Sequence, residues 1–294
     1  MATHAPQRSF HSTDTEHNLP NDSPEHARLE EQAAGYAELM HNNVIHAPLS
    51  NPQRLLDIGC GTGAVTHHLG TTYPAANCIY GIDLSPIPNI NRPGESPGNI
   101  SFIQGDVRKL SQTDERLAPR SFDYIFSRLL ICGMTDWAGY MRDTVAPLLK
   151  PGGWVEVQDL DYVWYKHGHV CSGEWKWLQA INEGAKRKGM DLHCGSNAAK
   201  YMREAGLIDV SVKRYGAPFG TWAVKQRPES ERIGATQAEG IGPLYEVIVP
   251  RLAQGLGLSE SEVQGLVGES RECLRAEDGK EWIVYATMAR RPAA

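Results

Sequence analysis

No Cys-x-x-Cys pair and no zinc-type Cys/His spacing occurs in this chain, although it carries six cysteines, at positions 60, 78, 132, 171, 194 and 273. Cysteines dispersed in this way fit free thiols in a reducing compartment rather than a disulfide framework, and they predict no metal site. There is no block of basic residues either. Lys and Arg total 29 against 35 Asp and Glu, a formal net charge of -6, which disfavours a nucleic-acid groove because phosphate binding rests on clustered cations. The opening residues, MATHAPQRSFHSTDTEHN, lack the apolar centre of a secretory signal, and no uninterrupted apolar run has membrane-spanning length. These absences predict a soluble, cytoplasmic protein whose partner is a small molecule rather than nucleic acid or membrane.

What is present is enough for a sizeable core: 294 residues, 41% hydrophobic and 22% charged. Residues 1–22 are Ser, Thr, His, Asn and Pro with few large apolar side chains, so they read as a disordered tail. From Ser23, with Pro24 and Glu25 as a first turn, the run HARLEEQAAGYAELMHNN has Leu29, Ala33, Tyr36, Ala37 and Met40 at helical steps and predicts an amphipathic helix. The pattern then changes to short apolar runs bounded by Gly, Asp and Pro: RLLDIG, NCIYGID, ISFIQGD, FDYIFS and GWVEVQDL, with helical stretches between several of them. That alternation is the signature of a parallel sheet covered by helices, an α/β fold. The Pro- and Gly-rich segment from Ser85 to Asn99 predicts a loop, WAGYMRDTVAPLLK a helix, and Lys-Pro-Gly-Gly a turn before the fifth strand. DVSVKRY and the alternating EWIVYATMARR are two further strands. Helical regions at roughly 163–206 and 226–278 are read as insertions that cap a substrate, within a single domain from residue 23 to 294.

The strongest chemical signal is LLDIGCGTGAVTHHL, a strand ending in Asp57 that opens onto Gly59, Gly61 and Gly63 before a helix. Glycines let the backbone turn sharply and approach a ligand, with helix N-terminal amides facing it. Some twenty residues on, Asp83 ends the next strand, where a carboxylate can accept from both hydroxyls of a ribose. Gly59, Gly61 and Ala64 also satisfy the G-x-G-x-x-G/A dinucleotide pattern, so a nicotinamide-dependent oxidoreductase is an alternative. Asp106 beside Val107 could meet the exocyclic amine of an adenine, and Asp57 before the glycines suits a cationic sulfonium better than a pyrophosphate.

Through LDIGCGTG, IDLSPIP, SFDYIFSRLL, DWAGYMRDTVAPLLKPGGWVEVQD and WIVYATMARRP, the chain from about residue 25 to 291 resembles class I S-adenosylmethionine-dependent methyltransferases. More narrowly it is similar to the LaeA-like group of fungal secondary metabolism. The resemblance implies a Rossmann-like, seven-stranded, mostly parallel sheet with an antiparallel last strand and helices on both faces. It implies S-adenosylmethionine as cofactor, with Gly59 and Gly61 along the methionine and ribose, Asp83 and Leu84 at ribose and adenine, and Asp106 and Val107 flanking the adenine. Ser127 and Arg128 would lie beneath the methionine end, and Tyr36 would close over the cofactor. The expected activity is methylation of a small acceptor, most simply at a carboxylate or hydroxyl oxygen. A regulator that binds the cofactor without a small substrate, which would allow a nuclear location, is the alternative the same resemblance permits, and a fold relative catalysing a rearrangement is another. SRLL stands where nitrogen methylases have an N-P-P-Y-like tetrapeptide. Since ligands of such sheets bind beyond the strand ends, Gln158, Asp159, Tyr162, Trp164, His167, His169 and His193 are candidates near the acceptor, with Asp159 and His193 expected as catalytic residues.

Overall fold

The computed structural model describes residues 23–90 and 97–293; the tail expected at 1–22 and the centre of the Pro-rich loop lie outside the described residues. Helix α1 (Ser23–Leu39) precedes β1 (Arg54–Ile58), α2 (Ala64–Thr72), β2 (Cys78–Asp83), β3 (Ile100–Gln104), the short α3 (Val107–Leu110) and β4 (Phe122–Arg128). The helix expected at DWAGYMRDTVAPLLK is broken into α4 (Trp137–Gly139), a π-helical turn (Tyr140–Val145) and α5 (Ala146–Leu148). Strand β5 (Leu149–Leu160) starts earlier than expected. It takes in the Lys-Pro-Gly-Gly segment as an irregularity, with Gly152 at φ 79 and the pairing to β4 shifted between Phe122 and Tyr124, as a bulge permits.

A small hairpin follows, β6 (Tyr165–Lys166) and β7 (His169–Val170), then α6 (Lys176–Arg187), α7 (Cys194–Glu204), β8 (Ile208–Pro218), α8 (Glu231–Ala253), α9 (Glu260–Cys273) and β9 (Lys280–Arg290). The sheet runs β3-β2-β1-β4-β5-β9, with β8 also paired to β9. β1 to β5 pair in parallel, while β9 is antiparallel to both β5 and β8. These are the seven strands the sequence implies. The hairpin makes nine: it turns at His167 (φ 52) and Gly168 (φ 79) and joins the first residues of β9, through Tyr165 opposite Glu281. Among the described residues no helix is long and apolar enough to cross a membrane.

Adjacent strand residues face opposite sides, and the sheet accordingly divides two cores. Leu55, Tyr124 and Phe126 join Val65 and Leu69 of α2 in the smaller one. Leu56, Ile125 and Val157 join the larger one, which continues into the helical layer of α1, α6, α8 and α9. Of the stretch expected as the first insertion, only α6 belongs to that layer; α7 packs on β5, β8 and β9 as a sheet-covering helix. Two glycines set the helix spacing. A Cβ on Gly35 of α1 would meet the Ile233 backbone at 2.9 Å, and one on Gly184 of α6 would run into the Leu252 carbonyl of α8.

The linker between α1 and β1 is tied to the sheet by Glu156, which is fully buried. Its carboxylate accepts from the His46 and Ala47 amides at 2.8 and 3.0 Å, the Tyr124 hydroxyl at 3.0 Å and the Gln158 amide at 2.7 Å. It also meets His46 Nδ1 at 2.7 Å, and His46 Nε2 meets the Tyr215 hydroxyl of β8 at 2.8 Å. A buried carboxylate survives in an apolar interior only when satisfied in this way. Glu156→Ala would strand several buried donors, each costing about 1–3 kcal/mol. The expected outcome is a melting temperature lower by roughly 10 °C; a thermal melt within a degree or two of the wild type would show that the linker is not held there.

Candidate functional site: a cavity at the carboxyl ends of the parallel strands

The glycine turn after β1 is built by backbone conformation. Gly59, Gly61 and Gly63 lie at φ 68, 55 and 79, a region that side chains disfavour, and a Cβ on Gly59 would overlap Leu130 Cδ2. The Gly59 and Cys60 amides donate to the Ile82 carbonyl at 2.8 and 3.0 Å, which hangs the turn on β2. Asp83 completes the join, one carboxylate oxygen accepting from the Gly61 amide at 2.8 Å and the other from the Ser85 amide at 2.9 Å. Asp57 lies buried beneath the turn with the Thr66 hydroxyl at 2.6 Å, and burial pushes its pKa up to about 6.

Above this turn opens a cavity of about 240 Å³. At one side Asp106 caps α3, accepting from the Arg108 amide at 2.9 Å, and pairs with the Arg108 guanidinium at 3.3 Å. From the end of β4 comes Arg128, whose guanidinium lies 5.7 Å from the centre of the Tyr36 ring and forms no hydrogen bond among the described residues; burial lowers its pKa. Leu129 follows at φ 55, a conformation costly for a branched residue, and turns the chain so that Leu130 reaches the glycines. Helix α1 forms another wall, with Glu25, Arg28, Leu29 and Gln32 on one helical face. The far end is closed by Cys132, Leu160, Tyr162, Leu244 and Trp282. There Cys132 Sγ and the Tyr162 hydroxyl are 2.9 Å apart, and burial pushes the Cys132 thiol up to about 11 and the Tyr162 phenol well above its ordinary value.

Of the residues singled out from sequence, Gly59, Gly61, Asp83, Leu84, Asp106, Val107 and Arg128 line this cavity. Tyr36 and Ser127 are buried and stand outside its lining. Asp159 and His193, expected as catalytic residues, do not line it either. Asp159 points away from the face that Glu156 and Gln158 share, as strand alternation requires. Its carboxylate is engaged by the Leu130 and Leu160 amides at 2.8 and 3.0 Å, fully buried, with burial pushing its pKa up to about 7. His193 is exposed just before α7, and His167 and His169 are exposed on the hairpin. Trp164 and Trp177 are core residues, and Trp282 is the one tryptophan in the lining. The α1 wall was missed: the spacing of Glu25, Arg28, Leu29 and Gln32 reveals a helix face, but not that the face turns toward the glycine turn.

A family model described as Methyltransferase domain matches residues 28–212. The chain is 30% identical over 280 residues to the methyltransferase pytC of Aspergillus terreus, covering 93% of this chain and 83% of that protein. It is 27% identical over 183 residues to the secondary metabolism regulator laeA of Monascus pilosus, covering 61% of this chain and 47% of that one. Among solved structures, a chain of the Haloferax volcanii complex between the Trm112 methyltransferase activator and a methyltransferase superposes with a TM-score of 0.50 at 15% identity, covering 92% of this chain and 96% of that one. That last likeness is one of fold alone.

The raised pKa of Asp159 has a measurable consequence. An acid whose folded pKa lies above its unfolded one contributes most stability below the unfolded value, 3.8 here, and loses it as pH rises through about 7. Asp159→Asn cannot ionise, so its melting temperature relative to the wild type is expected to rise by several degrees between about pH 4 and about pH 8. Parallel melts at the two pH values read this; a constant difference would mean the carboxylate stays ionised throughout.

Proposed function

Because the chain belongs to the Methyltransferase domain family, we propose that it moves the methyl group of S-adenosylmethionine to an oxygen of a small acceptor in secondary metabolism. The observation that carries this reading is the join of glycine turn and acid. Each Asp83 oxygen accepts one backbone amide and keeps a lone pair, enough for the two hydroxyls of a ribose. Gly59 and Gly61 offer a wall free of side chains, Leu84 and Val107 an apolar slot for an adenine, and Asp106 an acceptor for its amine. Arg128, without a hydrogen bond among the described residues, suits the carboxylate of the methionine end. Tyr36, beside Arg128, and Ser127, which precedes it on β4, are the further residues of that end.

When bound, the sulfonium supplies an electrophilic methyl group to an in-line displacement. The protein's part is to hold the acceptor oxygen near that carbon and to exclude water, a contribution that can be large without acid or base catalysis. Cys132 and Tyr162 remain protonated near neutrality because burial raises both. They can orient an acceptor through hydrogen bonds but cannot take its proton. Asp159 and His193 lie outside the cavity lining, so the reading relies on an acceptor oxygen that is already ionised or loses its proton to solvent before closure. Likeness to a protein named a methyltransferase over 93% of the chain supports methyl transfer over the regulatory alternative, whose likeness covers 61%. The nicotinamide alternative rested on the glycine pattern alone.

S-adenosylhomocysteine and S-adenosylmethionine at about one hundred times their dissociation constants are expected to add about 2.7 kcal/mol. That corresponds to roughly 4 °C of melting temperature for a chain of this size. NAD is expected to add nothing; a shift with NAD only, or with none of the three, would overturn the reading. Asp83→Asn keeps one acceptor oxygen, so one of the two backbone amides it holds loses its partner. The unliganded melt should fall by a few degrees and S-adenosylhomocysteine should bind about ten-fold or more weakly; calorimetric titration on the folded variant measures it, unaltered affinity removing Asp83 from the site.

A further inference from the structure

Away from the glycine turn the cavity lining is apolar through Leu160, Leu244 and Trp282, and the α1 wall brings one cation toward α8, Arg28. Its Nε and one terminal nitrogen are forked onto Glu25 at 2.9 and 2.6 Å, and among the described residues it makes hydrogen bonds to nothing else. A guanidinium has five N–H groups, and a two-pronged pair with one carboxylate leaves the other edge able to take a second. The side chain is held for that purpose. Glu25 is 5% exposed and Arg28 19%, and the Arg28 stem passes where α8 has Gly240, a Cβ at which would lie 3.1 Å from Arg28 Cδ. Gly240 is one turn of α8 from Leu244, which lines the cavity, so Arg28 stands at the α8 side of it. Arg128 and Arg108 lie elsewhere, one at the end of β4 and the other tied to Asp106.

We propose that Arg28 is the specificity-determining residue for the acceptor and that the acceptor carries a carboxylate, which Arg28 receives on the edge that Glu25 leaves open. The inference rests on the methyl-transfer reading and extends it to a substrate class. Glu25 then has two effects. It fixes the guanidinium in the wall, and by partly neutralising it keeps the free cavity from holding any passing anion tightly. A pair that merely braced α1 would have no acid preference to lose, and this separates the two roles.

The test is calorimetric titration of the protein loaded with S-adenosylhomocysteine, using 4-hydroxybenzoate, 2,4-dihydroxybenzoate and 4-hydroxycinnamate, each beside its methyl ester. At least one acid is expected to bind ten-fold or more tightly than its ester. Arg28→Gln should abolish that preference, Arg28→Lys should keep part of it, and Glu25→Gln should tighten the acid further. The proposal is overturned if no acid is preferred to its ester by the wild type, or if Arg28→Gln keeps the preference. It is equally overturned if acid binding falls in the Arg28→Gln and Glu25→Gln variants together, which marks the pair as a brace. Affinity for S-adenosylhomocysteine is read on every variant. Its loss in Arg28→Gln would assign Arg28 to the cofactor and overturn the proposal, whereas its absence in the wild type would strike the methyl-transfer reading itself.

Discussion

A carboxylate buried in the middle of the sheet must be satisfied or expelled, and Glu156 is satisfied by parts of the chain that would otherwise have no reason to meet. It gathers the linker after α1, the fourth strand and its own strand, and reaches the eighth through His46. The order of dependence follows from this. The linker fixes where α1 leaves the sheet, α1 fixes one wall of the cavity, and that wall carries Glu25, Arg28 and Leu29. A polar cluster on the side of the sheet that holds the small core thereby helps position groups at the cavity mouth.

The cavity itself repeats the same physics at a smaller scale. Asp83, Asp106 and Asp159 each accept backbone amides from the chain segment beside them, so acids serve first as staples for turns. What distinguishes them is solvent and access. Asp83 and Asp106 line the cavity and keep acceptor capacity for a ligand, while Asp159 is sealed and responds to burial by holding its proton more tightly. The same residue type at the strand ends of one sheet thus lines the cavity at two positions and is sealed at the third.

The sequence made the sheet legible because short apolar runs ending in Gly or Asp leave little choice of element, and the glycine turn with Asp83 was legible because only a few chemistries need both. The hairpin was not, since two strands of two residues carry no period to read. Nor was the acceptor side. Neither Gln158 nor Asp159 lines the cavity, and which face each takes is a matter of one residue of register, a slip of one exchanging the faces of a strand. The face of α1 was hidden for a related reason: helical spacing groups Glu25 with Arg28 and Leu29, but the packing partner that turns this group inward is α8, roughly two hundred residues away along the chain.

The close glycine contacts of the helical layer bear on how the acceptor pocket can be altered. Where Gly35 meets Ile233 and Gly184 meets Leu252, backbone lies on backbone, and no choice of side chain at either glycine preserves the spacing. Leu244, on the same α8, lines the cavity and is not one of these backbone contacts. Diversification for new acceptors therefore has an inexpensive coordinate and a forbidden one. A library built at Leu244 and Trp282 reshapes the chamber while its frame stays in place, and one that reaches Gly35 or Gly184 samples broken frames.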